Sequence, residues 1–308
     1  MSHFTVLVIG NDPEGQLEPF SERTEVDEYQ TGIVPDIDIA SFRSHYTSVN
    51  LEDERNSFTE KTVEENLKLT FEELYDKYGD DWNGKSWKET PDGKLGEFST
   101  FNPDGKWDWF QLGGRWSGFL KKKKGAKGQN GDGGFFGRET GVKRGWCDQA
   151  LKKDIDFDGM RDAAGKEGEK HYKMVLKTFG GTIPTLDVTW DELIDETNHE
   201  YNKLSIEQKR EMYHSQPAME EVKKHSDKLG WGFELKPYQS PIEDYVKRCR
   251  ENAIGTFAVL VEDNWYEKGE MGWFGITHNE NPNWSSEFQK LLDSVDDDTL
   301  ISLYDCHC

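Results

Sequence analysis

Two thiols close the chain. The ending LISLYDCHC (300–308) carries Cys306 and Cys308 with His307 between them. On an extended strand, residues i and i+2 share a face, so the two sulfurs would lie side by side, an arrangement poorly suited to a disulfide with each other. Nucleophilic thiol chemistry needs a base or a helix terminus nearby, and the sequence places none. Zinc takes about four ligands, and His307 faces away from its neighbours, so a metal site would have to be completed by another subunit. Plain packing of buried thiols is a further reading. The one favoured here is a contact between identical chains, because a symmetric interface lets each cysteine meet its counterpart. Cys306 and Cys308 are therefore assigned to an oligomer interface. A cross-chain disulfide there would persist in a reducing compartment only if shielded.

Other chemistry-bearing patterns are weaker. DIDFDGM (154–160) opens like a calcium loop, but the twelfth position from Asp154 is Gly165 where a glutamate is required; it reads as a solvated acidic turn. VIGNDPEG (8–15) lacks the glycine spacing of a dinucleotide turn and crowds acids where phosphate would sit. In LGGRWSGFL (112–120), Gly113 and Gly114 allow close backbone approach and Arg115 could meet an anion or stack on tryptophan. The eight histidines show no metalloenzyme spacing, and His171, His199, His214 and His225 fall in helical text. No catalytic residue, metal set or cofactor motif is assigned.

The elements that would position these residues follow from composition and rhythm. A chain of 308 residues can bury a full core. Aromatics at 13%, with eleven tryptophans, outweigh the low hydrophobic fraction of 34% and argue against disorder. Net charge is −22, which repels nucleic acid and anionic membrane and leaves a protein partner, or a surface that normally holds DNA. Residues 14–65 hold 14 acids and four bases. No signal peptide and no membrane span is expected, nor a secreted disulfide framework from four cysteines.

HFTVLVIGND (3–12) and TFAVLVEDN (256–264) read as buried strands and as neighbours in one sheet. WYEKGEMGWFGI (265–276) reads as two strands about a turn, NPNWSSEFQKLLDSV (281–295) as a helix and the chain end as a last strand. A helix is predicted over 62–79 and a mobile basic glycine-rich loop over 121–134. Capping boxes at Thr189–Glu192 and Ser205–Gln208 begin helices within 189–204 and 205–216. The fold class is α+β: a mixed or antiparallel sheet core built by both chain ends (1–150 and 251–308), with a mostly helical inserted subdomain at 151–250.

The segments MSHFTVLVIGNDPEGQLEPF, WDWFQLGGRWSGFL and WYEKGEMGWFGI…LLDSVDDDTLISLYDCHC, about a quarter of the chain, resemble a family of bacteriophage proteins. Together with the long helical insertion and the paired-cysteine end, they are similar to the Gabija anti-defence proteins. That resemblance implies a non-enzymatic inhibitor without cofactor in the host bacterial cytoplasm. It would self-associate into a homo-oligomer, with Cys306 and Cys308 at the contacts, and wrap the host Gabija complex of nuclease and helicase-like subunits to block DNA access. The target-contacting surface is expected in the insertion, where Tyr201, Tyr213, Trp231 and Phe233 are assigned to partner binding; GWGF (230–233) also reads as a strand. Two other functions compete. One is an enzyme acting on a nucleotide or nucleotide-like signal, with a site near Asn11, Asp12, Arg115 and Glu270. The other is a DNA mimic built on residues 14–65.

Overall fold

The chain opens with β1 (His3–Ile9), buried continuously from Val6 to Ile9. It continues through α1 (Pro13–Leu17), β2 (Tyr29–Ile33), α2 (Asp36–Thr47), α3 (Glu60–Asn66), α4 (Phe71–Tyr78), β3 (Lys85–Glu89) and β4 (Leu95–Ser99). Next come β5 (Trp109–Leu112), β6 (Leu120–Lys121), β7 (Trp146–Cys147) and β8 (Gln149–Leu151). A helical stretch holds α5 (Phe157–Thr178), α6 (Trp190–Ile194), α7 (Ile206–His214), α8 (Pro217–Lys224), α9 (Ser226–Leu229) and α10 (Ile242–Glu251). The end consists of β9 (Ala258–Val261), β10 (Asn264–Glu267), β11 (Glu270–Met271), β12 (Thr277–His278), α11 (Trp284–Asp293) and β13 (Leu300–His307). This computed structural model describes residues 2–48, 59–79, 85–131, 143–195, 197–272 and 277–308. They divide into unit 1 (Met1–Pro13 and Gln111–Asp305) and unit 2 (Glu14–Phe110 and Cys306–Cys308). The helical stretch thus belongs to the same unit as most of the sheet.

The principal sheet runs β10-β9-β1-β13-β5, with β8 also paired to β13. The two similar phrases are indeed neighbours: β1 and β9 pair in parallel from Val6↔Ala258 to Ile9↔Val261. The β9–β10 hairpin turns through Glu262 and Asp263, both at positive φ (51° and 60°), the geometry that matches strand twist in a two-residue turn. β8 runs antiparallel to β13, so the sheet is mixed and the fold is α+β. Burial on both faces explains the unbroken apolar text of β1 and β9. α11 lays Trp284, Phe288 and Leu292 into a cluster with Leu7, Ile9, Val259, Ile301 and Leu303, each large side chain contributing about 1.5–3 kcal/mol by leaving water. The Trp284 indole N–H donates to the Thr256 carbonyl at 2.8 Å, so its polar edge is satisfied.

The helical stretch is packed more thinly. α5 lies against α10 where Gly168 meets the Cys249 side chain; a Cβ there would sit 2.6 Å from its sulfur. Beyond that contact, two small clusters hold the stretch, one of Tyr172, Val175 and Tyr238 and one of Leu186, Ala218 and Leu235.

Unit 2 has a small sheet, β2-β4-β3. Beside it, Phe42 of α2 packs on Phe71 and Tyr75 of α4 and on Trp87 of β3. Buried Asn66 donates to the Tyr46 carbonyl at 2.8 Å and accepts from Lys77 and Tyr78.

Several expectations are corrected. The helix predicted over 62–79 is two helices, because Thr70 forms a capping box with Glu73 and starts α4 afresh. The helix predicted over 189–204 starts at the expected box but ends at Ile194, where Asp195 accepts hydrogen bonds from the N–H and hydroxyl of Thr197 and turns the chain. The basic loop is tied down along its described part: Gln129 bonds to Gln149 and Gly131 to Asp148. Residues 132–134 of that loop, 49–58 of the acidic stretch and 273–276 of the expected strand pair lie outside the described residues. GWGF forms a turn, not a strand. No described helix is long and apolar enough to cross a membrane.

Candidate functional site

At the diglycine of LGGRWSG the backbone of unit 1 comes up against two carboxyl groups. β5 ends at Leu112, and Gly113 and Gly114 take positive φ (72° and 47°). A Cβ on Gly113 would overlap the Asp148 carboxyl group, and one on Gly114 would overlap Asp305. Both aspartates are fully buried. Asp148 accepts hydrogen bonds from the Ser117 hydroxyl at 2.7 Å, the Gly131 N–H at 2.9 Å and the Gly118 N–H. Asp305 accepts from the Arg115 N–H at 2.9 Å and meets His3 Nδ1 at 2.8 Å. Each buried carboxyl therefore uses its oxygens to hold a bend, and no described buried polar side-chain atom lacks a partner. The element the sequence reading singled out, Arg115, matters here through its backbone N–H, while its side chain is exposed.

His3 also lines a cavity of about 360 Å³, together with Thr5, Trp116, Lys268 and Trp284, at the small end of the range for ligand pockets. A carboxyl that fixes one imidazole nitrogen is the arrangement that orients a histidine for proton transfer. No serine or cysteine is among the described residues that line the cavity; its hydroxyls come from Thr5, Thr256 and Thr277 and its one amine from Lys268.

The site expected near Asn11, Asp12, Arg115 and Glu270 is not assembled. Arg115 adjoins Asp305 and His3 at the start of β1, whereas Asn11 and Asp12 follow its end; seven strand residues span about 20 Å or more. Glu270 lies in the β11–β12 pair, bonded to Asn279.

At the chain end, Cys306 is fully buried, so its side chain offers no surface to a second chain, and the assignment of Cys306 to an oligomer contact is corrected on that ground. Cys308 is half-buried. His307 meets Asp108 at 2.6 Å and stacks on Trp109. All four cysteines are thiols, and burial pushes the Cys147 thiol up to about 11. No group of three or more metal-ligating side chains occurs among the described residues. DIDFDGM is a helix start: Asp156 caps α5 by accepting from the Gly159 N–H and pairs with Lys121 at 2.6 Å. The Lys121 ammonium and that N–H hold its carboxyl below the usual range.

The four aromatic residues assigned to partner binding divide. Phe233 is half-buried and stacks on Tyr238, ring centroids 5.3 Å apart. Tyr213 packs edge-on to Trp190 and against the Leu186 cluster, and burial raises its phenol. Tyr201 is half-buried. Trp231 is the exception, with a relative exposure of 104%. It stands between Gly230 and Gly232, both at positive φ (87° and 75°), a backbone course that glycine adopts readily. Flanking glycines at an indole are a signal legible in the sequence. The buried aspartates are not, since their partners lie 17 to 302 residues away.

Comparison with family models, with curated proteins and with solved structures gives no match for this chain.

Proposed function

We propose that this chain is a phage-encoded, non-enzymatic inhibitor that binds the host Gabija complex in the bacterial cytoplasm and blocks DNA binding or cleavage by covering it. The observation that carries the reading is Trp231. A tryptophan left fully in water at the tip of a turn exposes an apolar face of roughly 200 Å² or more, and such residues anchor protein interfaces when a partner pocket takes them up. The charge of −22 suits competition for a surface that normally holds DNA. The target itself rests on the resemblance of the two chain ends and the 106–120 patch to phage anti-defence proteins. Self-association belongs to the proposal, with Cys308 as the terminal thiol able to lie at a contact.

The test is capture of tagged chain from Gabija-carrying cells, followed by sizing. Both host subunits are expected to co-elute in a species larger than either, and Trp231→Ala is expected to lose them. A monomer that retains nothing defeats the reading.

A second reading, an enzyme acting on a nucleotide-like small molecule, is favoured by the His3–Asp305 pair at its cavity. His3→Ala separates the two: inhibition that survives it supports covering, and inhibition that vanishes with fold and capture intact supports catalysis.

A further inference from the structure

Against a net charge of −22, one groove of unit 1 gathers cations. It has a volume of about 820 Å³ and is lined by Arg161, Arg248, Arg250 and Lys290. The four come from three elements: Arg161 from the start of α5, Arg248 and Arg250 from the last turn of α10, and Lys290 from α11. Glu251 is the one carboxylate among the described lining residues.

The cations are engaged lightly. Arg250 pairs with Asp162 at 2.8 Å and Arg161 with Asp158 at 3.1 Å; Asp158 is 96% exposed, and pairs so open to water contribute about 0–1 kcal/mol. Arg161 also donates to the side-chain oxygen of Gln289 on the same groove. Arg248 donates to the Pro237 carbonyl and the Ser240 hydroxyl, both at 2.7 Å. A guanidinium has five N–H donors, so these bonds orient the three arginines and leave most of their donors unused. Lys290 has no ion pair among the described residues. The start of α11 opens on the same groove through Asn283, Ser285 and Ser286, and the Asn283 side chain makes no capping bond there. Planar guanidinium forks match phosphate oxygens two at a time, and a helix start adds a favourable field for an anion. No aromatic side chain is among the described residues that line the groove, and none of these would stack on a nucleobase. Its volume exceeds what a single phosphate fills.

We propose that this groove binds a small molecule carrying two or more phosphate groups, recognised through the phosphates. The inference is independent of the partner-binding reading, because Trp231 is not in the groove.

Calorimetric titration of the full chain with inorganic pyrophosphate, ATP and orthophosphate tests it. Pyrophosphate and ATP are expected to bind with similar affinity, both more tightly than orthophosphate and both more weakly as salt rises. Arg250→Gln is expected to weaken pyrophosphate about tenfold or more, the effect of one charged hydrogen-bonding group. Lys290→Gln, at an exposed position that does not support the fold, is expected to weaken it severalfold. Trp231→Ala is expected to leave it unchanged. No pyrophosphate binding, ATP binding without pyrophosphate binding, or unchanged affinity in both Arg250→Gln and Lys290→Gln would overturn the proposal. So would tighter binding of a short DNA duplex lost in the same variants.

Discussion

In the sheet of unit 1, polar groups are buried and bonded: Asp148, Ser302 and Asp305 are all but inaccessible, and the carboxyl groups fix a bend whose glycines admit no side chain. In the helical stretch from α5 to α10, two clusters gather only three buried apolar residues each. The ion pairs there lie on the surface, such as Lys173–Glu169 and Lys224–Glu221. The first region is over-determined, and any change in its polar network leaves a buried group without a partner. The second is held by caps and shallow packing, so parts of it open more easily, and it leaves an indole in water. Rigid support and an exposed indole are thus divided between the two.

Asp148→Ala should break the first region most. It orphans the Gly118 and Gly131 N–H groups and the Ser117 hydroxyl, for an expected loss of about 4 kcal/mol in urea unfolding; a loss below about 1 kcal/mol would mean that the bend holds itself. Gly114→Ala combines a strained φ with overlap on Asp305 and should cost about 2–3 kcal/mol. The same core should lose stability in alkali. An unfolded Cys147 thiol ionises near its ordinary value of 9.0, whereas the folded one stays protonated until about 11. Ionisation then favours the unfolded chain, and stability falls as pH rises from 9 to 11. Unfolding measured across that window in wild type and Cys147→Ala should show a shallower decline in the variant.

In the second region the expected effects shrink. Thr189→Ala removes the capping box of α6 and should cost about 1 kcal/mol, with faster hydrogen exchange confined to the helical stretch. Exchange that also rises in β1 and β9 would show the two regions to be one cooperative unit. Trp231→Ala should change stability by no more than about 0.5 kcal/mol while abolishing capture of the partner.

Part of this contrast is legible in the residues. β1 and β9 declare themselves as apolar runs that end in turn residues. α11 shows its rhythm in Trp284, Phe288 and Leu292. The boxes at Thr189 and Ser205 announce helix starts, and the similar box at Thr70 carries the information that 62–79 is interrupted, although an apolar rhythm running across it hides the break. The buried network is different. Asp305 works through His3 and the Arg115 N–H, far away in the chain, and a backbone donor leaves no mark on residue type. Only the diglycine hints at it. The cationic groove escapes for a related reason, since its members come from three helices and form no run.

The most direct test of inhibition by covering is a titration. Purified chain is added to a fixed amount of purified Gabija nuclease and helicase-like subunits while DNA cleavage is followed. Inhibition is expected to grow in proportion to added chain, to saturate at a fixed ratio of chain to complex, and to require about tenfold or more Trp231→Ala for the same effect. Full inhibition by a small fraction of an equivalent, abolished by His3→Ala and indifferent to Trp231→Ala, would contradict it.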